Sequence, residues 1–204
     1  MFVLTVDQIG SRRQGDLVDT TIAGLSTLRT RLPFTRTVGD EFQGALEHAP
    51  SVVDAILTLM RSGQWHVGVG IGTVAEPLPD DPRSARGTAF LAARTAVEGA
   101  KREPSHVQVV APEAPAEAED ASTVLQLLAA VRDRRTAQGW EAADLMAATG
   151  QQSEVAERLG VSRQAVGQRL LAAGWAVEHR TLPTLARLLE RADTVACSQP
   201  GRPS

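Results

Sequence analysis

The chain has no tyrosine, and its aromatic residues, four phenylalanines and three tryptophans, make up only 3% of 204 positions. With 43% hydrophobic residues it can bury a core, but that core must be aliphatic and alanine-rich. Cysteine is nearly absent. Cys197 stands alone near a polar C-terminus, which excludes an internal disulfide and predicts an idle thiol in a reducing compartment. No stretch approaches the ~18 apolar residues of a membrane span, and the opening Met1–Asp7 lacks the basic region of a secretory signal. These absences predict a cytoplasmic protein with no membrane partner. Positive charge is also scarce: a net charge of −3 argues against nucleic acid held over the whole surface, while leaving room for a local basic face.

What is present begins with a β-rich run, Phe2 to Val6, that ends at Asp7. Leu17, Thr21, Ile22, Leu25, Leu28 and Leu32 recur at helical steps and predict a helix over 15–32. Phe34 to Val38 and Glu41 to Leu46 read as a hairpin around Gly39-Asp40, a Gly-X loop suited to a type II′ turn. A helix opening at Pro50 and stopping at Gly63 leads to a strand, Trp65 to Ile71, whose Gly68, Gly70 and Gly72 leave one face bare. Close packing of a helix and room for a ligand are both open readings of that face. After a Pro/Asp-rich loop over 75–86 come a helix, Gly87 to Lys101, and a strand, His106 to Val110. The order βαββαβαβ predicts an α+β fold, a ferredoxin-like palm over 1–111 with helices on one face of a mainly antiparallel sheet. The Ala/Pro/Glu segment 112–121 reads as a linker, 122–196 as a helical domain, and 197–204 as a disordered tail.

Two acids at strand ends carry the first chemical signal. Asp7 and Asp40 are the expected metal ligands, since paired carboxylates suit a hard Mg²⁺ that takes its remaining oxygens from water and a polyphosphate. Ile9, Gly10, Ser11 and Arg12, following the first strand, read as a phosphate-binding turn, with Gly39 at the hairpin tip. Arg94 and Lys101, on successive parts of one helix, are candidate phosphate contacts.

The motifs Asp7-Gln8-Ile9-Gly10-Ser11-Arg12, Val38-Gly39-Asp40-Glu41-Phe42-Gln43-Gly44, Gly68-Val69-Gly70-Ile71-Gly72 and Gly87-Thr88-Ala89-Phe90 with Ala93-Arg94 resemble the SatD family. That family is similar in turn to the palms of class III nucleotidyl cyclases and GGDEF diguanylate cyclases. The resemblance covers about residues 1–111 and implies a nucleotide held with metal at Asp7 and Asp40. One departure bears on turnover: Leu91 and Ala92 stand where class III cyclases carry an asparagine.

The second signal lies at 152–173. Ala156 is small where two helices would cross, Gly160 turns the chain, Val161 plugs the space beneath, and Ser162 caps a helix with Val166 and Leu170 inward. The pattern resembles the helix-turn-helix of bacterial regulators. Ser162, Arg163, Gln164, Gly167, Gln168 and Arg169 are the expected DNA contacts, because Arg pairs with guanine and Gln with adenine in the major groove. Residues 151–180 hold four arginines against three glutamates, so useful affinity calls for a homodimer on two half-sites. The reading is a bacterial DNA-binding regulator whose palm binds a nucleotide with Mg²⁺. The alternatives are a Mg²⁺-dependent nucleotidyl-transferring enzyme, a palm serving only as a dimerisation scaffold, and a helical pair that only packs.

Overall fold

A computed structural model of the chain describes residues 1–79 and 81–198, the side chains of Arg12 and Gln14 lying outside that description. The described residues are α+β and divide into two compact units: Met1–Gln126 with the chain from Thr184 onward, and Leu127–Pro183.

In the first unit, β1 (Phe2–Gln8), β2 (Leu32–Arg36), β3 (Glu41–Leu46), β4 (Trp65–Ile71) and β5 (Val107–Val110) form one sheet in the order β2-β3-β1-β4-β5. Neighbours are antiparallel except β4 and β5, which run parallel and are joined through α4 (Thr88–Ala100). The short α1 (Ser11–Gln14) and α2 (Val18–Leu25) connect β1 to β2, and α3 (Ala49–Ser62) connects β3 to β4. The helix expected over 15–32 is thus confined to 18–25, and Leu32 belongs to β2 instead.

Side chains alternate across a strand, so the register assigns the faces. Phe2, Leu4 and Val6 align with Leu46 and Phe42 on one side and with Ile71, Val69 and Val67 on the other, all of them buried. The few aromatics concentrate here: the Phe42 ring meets Phe34 and Trp65 edge to face at 5.9 and 5.2 Å. α3 buries Val52, Ile56 and Leu59 and packs on β3 and β4. The opposite face carries the bare glycines. A Cβ on Gly68 would collide with backbone of Ala93 and Val97, and one on Gly70 with backbone of Ala89 and Ala93. α4 therefore lies directly on the glycine face, which decides between the two readings in favour of helix packing. Helices cover both faces of β4, not one as expected, because the glycine stripe lets a helix backbone seat where side chains would stand.

The expected linker is also helical. α5 (Pro115–Asp133) begins within it, since Pro is tolerated at a first helical position and Ala and Glu are strong helix formers. Ala118, Ala121 and Leu125 form a buried stripe, and the Ser122 hydroxyl accepts from Val109 N at 2.9 Å and donates to Val109 O, satisfying the edge of β5.

The second unit holds α6 (Ala137–Thr149), α7 (Gln152–Leu159), α8 (Arg163–Ala172) and the start of α9 (Trp175–Ser198). Ala142, Val155, Ala156, Val166 and Leu170 are its shared core. Beside it, Arg132 and Arg135 place their guanidinium groups over the Trp140 ring at 4.8 and 4.6 Å, and both pair with Glu178. α9 starts at Trp175 and carries Pro183 in its interior. It runs through Cys197 and Ser198, so those two positions are helical and not a disordered tail; 199–204 lie outside the described residues.

Candidate functional site

The hairpin turns at Val38–Glu41, where Glu41 N donates to Val38 O at 3.1 Å. Gly39 takes φ 61° at the first central position and Asp40 does not share that sign, which is the geometry a Gly-X turn requires. Arg36 holds the turn from below: its guanidinium donates to Gly39 O at 2.7 Å and to Asp16 and Asp19 at 2.9 and 3.1 Å. The hydrogen bond from Arg36 keeps the Asp16 carboxyl below its usual range. Across the gap, Gln8 N donates to Asp40 O at 3.3 Å and Ile9 N to Gln64 O at 2.8 Å. The backbone at the end of β1 and the backbone at the hairpin tip are therefore joined next to Asp7 and at Asp40.

Register adds an acid that the sequence reading passed over. Glu41, not Asp40, stands opposite Asp7 across β1 and β3, while His66 of β4 stands opposite Asp7 on the other side. His106 extends the row, its ring 4.9 Å from that of His66. Lys101, at the end of α4, brings its ammonium to 3.4 Å from Asp7 Oδ2 and 2.8 Å from Glu98 Oε1. Its hydrogen bond to Glu98, reinforced by Asp7, raises its pKa. His66 is held below its ordinary pKa, first by burial and then by the charge of His106. Among the described residues no group of three or more His, Cys, Asp or Glu is arranged to hold a metal ion by itself.

The turn after β1 is fixed by a buried residue. Gln8 is 3% exposed, donates to Gly15 O at 2.6 Å and accepts from Leu17 N at 3.0 Å. That clamp sets the path of Ile9, Gly10 and Ser11, with Gly10 in the left-handed region at φ 64° ahead of the four-residue α1. The Arg12 side chain lies outside the described residues. Arg94 sits nearly two turns before Lys101, on the wall of a trough of about 340 Å³ lined by α4, the hairpin and the turn of Pro82, Arg83 and Ala85.

In the second unit, Ser162 caps α8 by accepting from Ala165 N at 3.1 Å, and Gly160 turns the chain from α7 with φ 62°. Val166 and Leu170 are buried, while Arg163, Gln164 and Gln168 are exposed and without a partner among the described residues. Arg169 differs. It is half-buried and lies 3.7 Å from Glu141 of α6. Gly167 faces Gln152 Oε1 at van der Waals distance from where a Cβ would stand, so its lack of a side chain is not forced by crowding.

No family model, no curated protein and no solved structure matches this chain. Among the described residues, no helix is long and apolar enough to cross a membrane.

Proposed function

We propose that the chain is a cytoplasmic DNA-binding transcriptional regulator whose first unit binds a nucleotide with Mg²⁺. The observation that carries the DNA reading is the division of α8: its inner side is shared core with α6 and α7, and its outer side presents Arg163, Gln164 and Gln168 with no competing partner. Those residue types read guanine and adenine edges, and a capped helix behind a glycine turn is the helix-turn-helix arrangement that presents them. Seven arginines against six acids over 127–183 leave one copy weakly attracted to phosphate, which favours a homodimer.

For the first unit, the strand order β2-β3-β1-β4 with antiparallel neighbours supports a ferredoxin-like palm of the kind the SatD resemblance implies. Asp7, with Glu41 opposite it across β1 and β3 and Asp40 next in the hairpin, would supply an incomplete oxygen set, which suits Mg²⁺ because that ion keeps waters and phosphate oxygens as its other ligands. Lys101 would exchange Asp7 for a phosphate oxygen. The backbone of Gly39 and of Ile9 to Ser11 would meet the phosphates. When bound, the ion would neutralise phosphate charge. Leu91 and Ala92 offer no polar group, so turnover of a nucleoside triphosphate is expected to be slow. The test is a thermal-shift measurement with nucleoside triphosphates with and without Mg²⁺, since a ligand of the folded state stabilises it by RT ln(1 + [L]/Kd). A Mg²⁺-dependent shift lost in Asp7→Asn is expected; no shift, or one unchanged by that substitution, contradicts the reading.

A further inference from the structure

The trough between α4 and the hairpin is not accounted for by metal and phosphate contacts. Its floor is polar: Gln43 donates from Nε2 to Thr5 Oγ1 at 2.7 Å, which leaves the Gln43 carbonyl oxygen as a free acceptor and the Thr5 hydroxyl as a free donor. Its α4 wall is apolar, formed by Phe90 and by Leu91, which is 70% exposed. Arg94, exposed, lines the same space and makes no hydrogen bond or ion pair among the described residues, so its guanidinium is available to donate there. Glu41 closes the end nearest Asp7, and Val38 of the hairpin, 78% exposed, forms the outer lip. An exposed leucine and an exposed valine flanking a polar floor match a planar ligand with apolar faces and hydrogen-bonding edges.

We infer that this trough is the subsite for the heterocyclic base of the nucleotide, with Leu91 and Phe90 against the base, Gln43 and Thr5 reading its edge, and Arg94 donating to a ring or carbonyl acceptor. The volume of about 340 Å³ suffices for a nucleoside. Glu41 is the shared boundary: it faces Asp7 by register and the trough by position, so a base seated here leaves its phosphates directed toward Asp7 and Lys101. This assigns Arg94 to the base and not to the phosphates. The inference rests on the nucleotide reading but fails separately from it.

The experiment is calorimetric titration of the full chain with a nucleoside triphosphate and Mg²⁺, with inorganic tripolyphosphate and Mg²⁺, and with guanosine and adenosine alone. Expected is a nucleoside triphosphate at least about tenfold tighter than tripolyphosphate, a difference of about 1.4 kcal/mol. Leu91→Ala and Gln43→Ala should reduce that margin to about twofold while tripolyphosphate binding persists. Leu91 is exposed, so its replacement leaves the fold intact and keeps the test decisive. Equal affinity for tripolyphosphate and nucleotide overturns the base subsite and leaves the metal-phosphate reading standing. A nucleoside that binds where tripolyphosphate does not supports the trough and contradicts the phosphate reading. No binding by any probe overturns both. Sedimentation supplies the remaining outcome: if Leu91→Ala dissociates a dimer without changing ligand affinity, the trough faces a second copy and the inference falls.

Discussion

Asp7 lies 3.4 Å from the Lys101 ammonium and stands opposite His66 across β1 and β4. The folded state holds His66 neutral below its ordinary pKa of 6.5, through burial and His106, with Lys101 acting the same way and Asp7 opposing. A depressed histidine pKa means that the unfolded chain binds the proton more readily. The stability this group contributes is therefore present above pH 6.5 and is lost as pH falls below it. Melting temperature should drop between pH 7.5 and 5.5, and His66→Gln should flatten that slope; an equally steep slope in the variant would reassign the effect. A second residue-level expectation separates the two hairpin acids. If register decides, Glu41→Gln weakens the Mg²⁺-dependent nucleotide shift more than Asp40→Asn does, measured side by side. Sequence alone favoured Asp40 because it sits at the turn, whereas only the pairing of β1 with β3 reveals that Glu41 faces Asp7. Gln8 and Arg36 were equally hidden, since their roles depend on partners such as Leu17 and Asp16 that the fold brings close.

Elements with strong local signals were legible. α3, β4, α4 and the segment from α7 to α8 lie within a residue or two of their expected bounds, because periodicity and glycine stops are local features. Elements decided by burial were not. Ala118 and Ala121 read as linker until β5 supplied something to bury them against. The glycines of β4 carried two meanings that only the position of α4 separates. Gly70→Ala is expected to destabilise by about 1–3 kcal/mol or more, because the added methyl meets helix backbone that cannot turn aside. Denaturant titration checks this, and a neutral result would mean that α4 is not seated on the strand. In the second unit, Arg135→Ala strips a nearly fully buried partner from Glu178, which keeps Arg132, and should cost about 1.5–3 kcal/mol, read as loss of helical signal on heating.

At the scale of the whole molecule, the proposed function divides between the two units, a nucleotide with Mg²⁺ for the first and DNA for the second. The DNA reading is the central claim, and it demands that base contacts and phosphate contacts behave differently. Arg163→Ala or Gln164→Ala should cost about 1–3 kcal/mol on a specific site and much less on random duplex. Arg169 is tied toward Glu141 in the free chain, so its replacement should weaken specific and random duplex alike and lower the salt slope by about one. The most direct measurement is selection of binding sites from random duplexes by the full chain at two salt concentrations. The account predicts an enriched sequence whose retention falls with salt and whose enrichment disappears in Gln164→Ala. No enriched sequence, and no binding even at the lower salt, would contradict it.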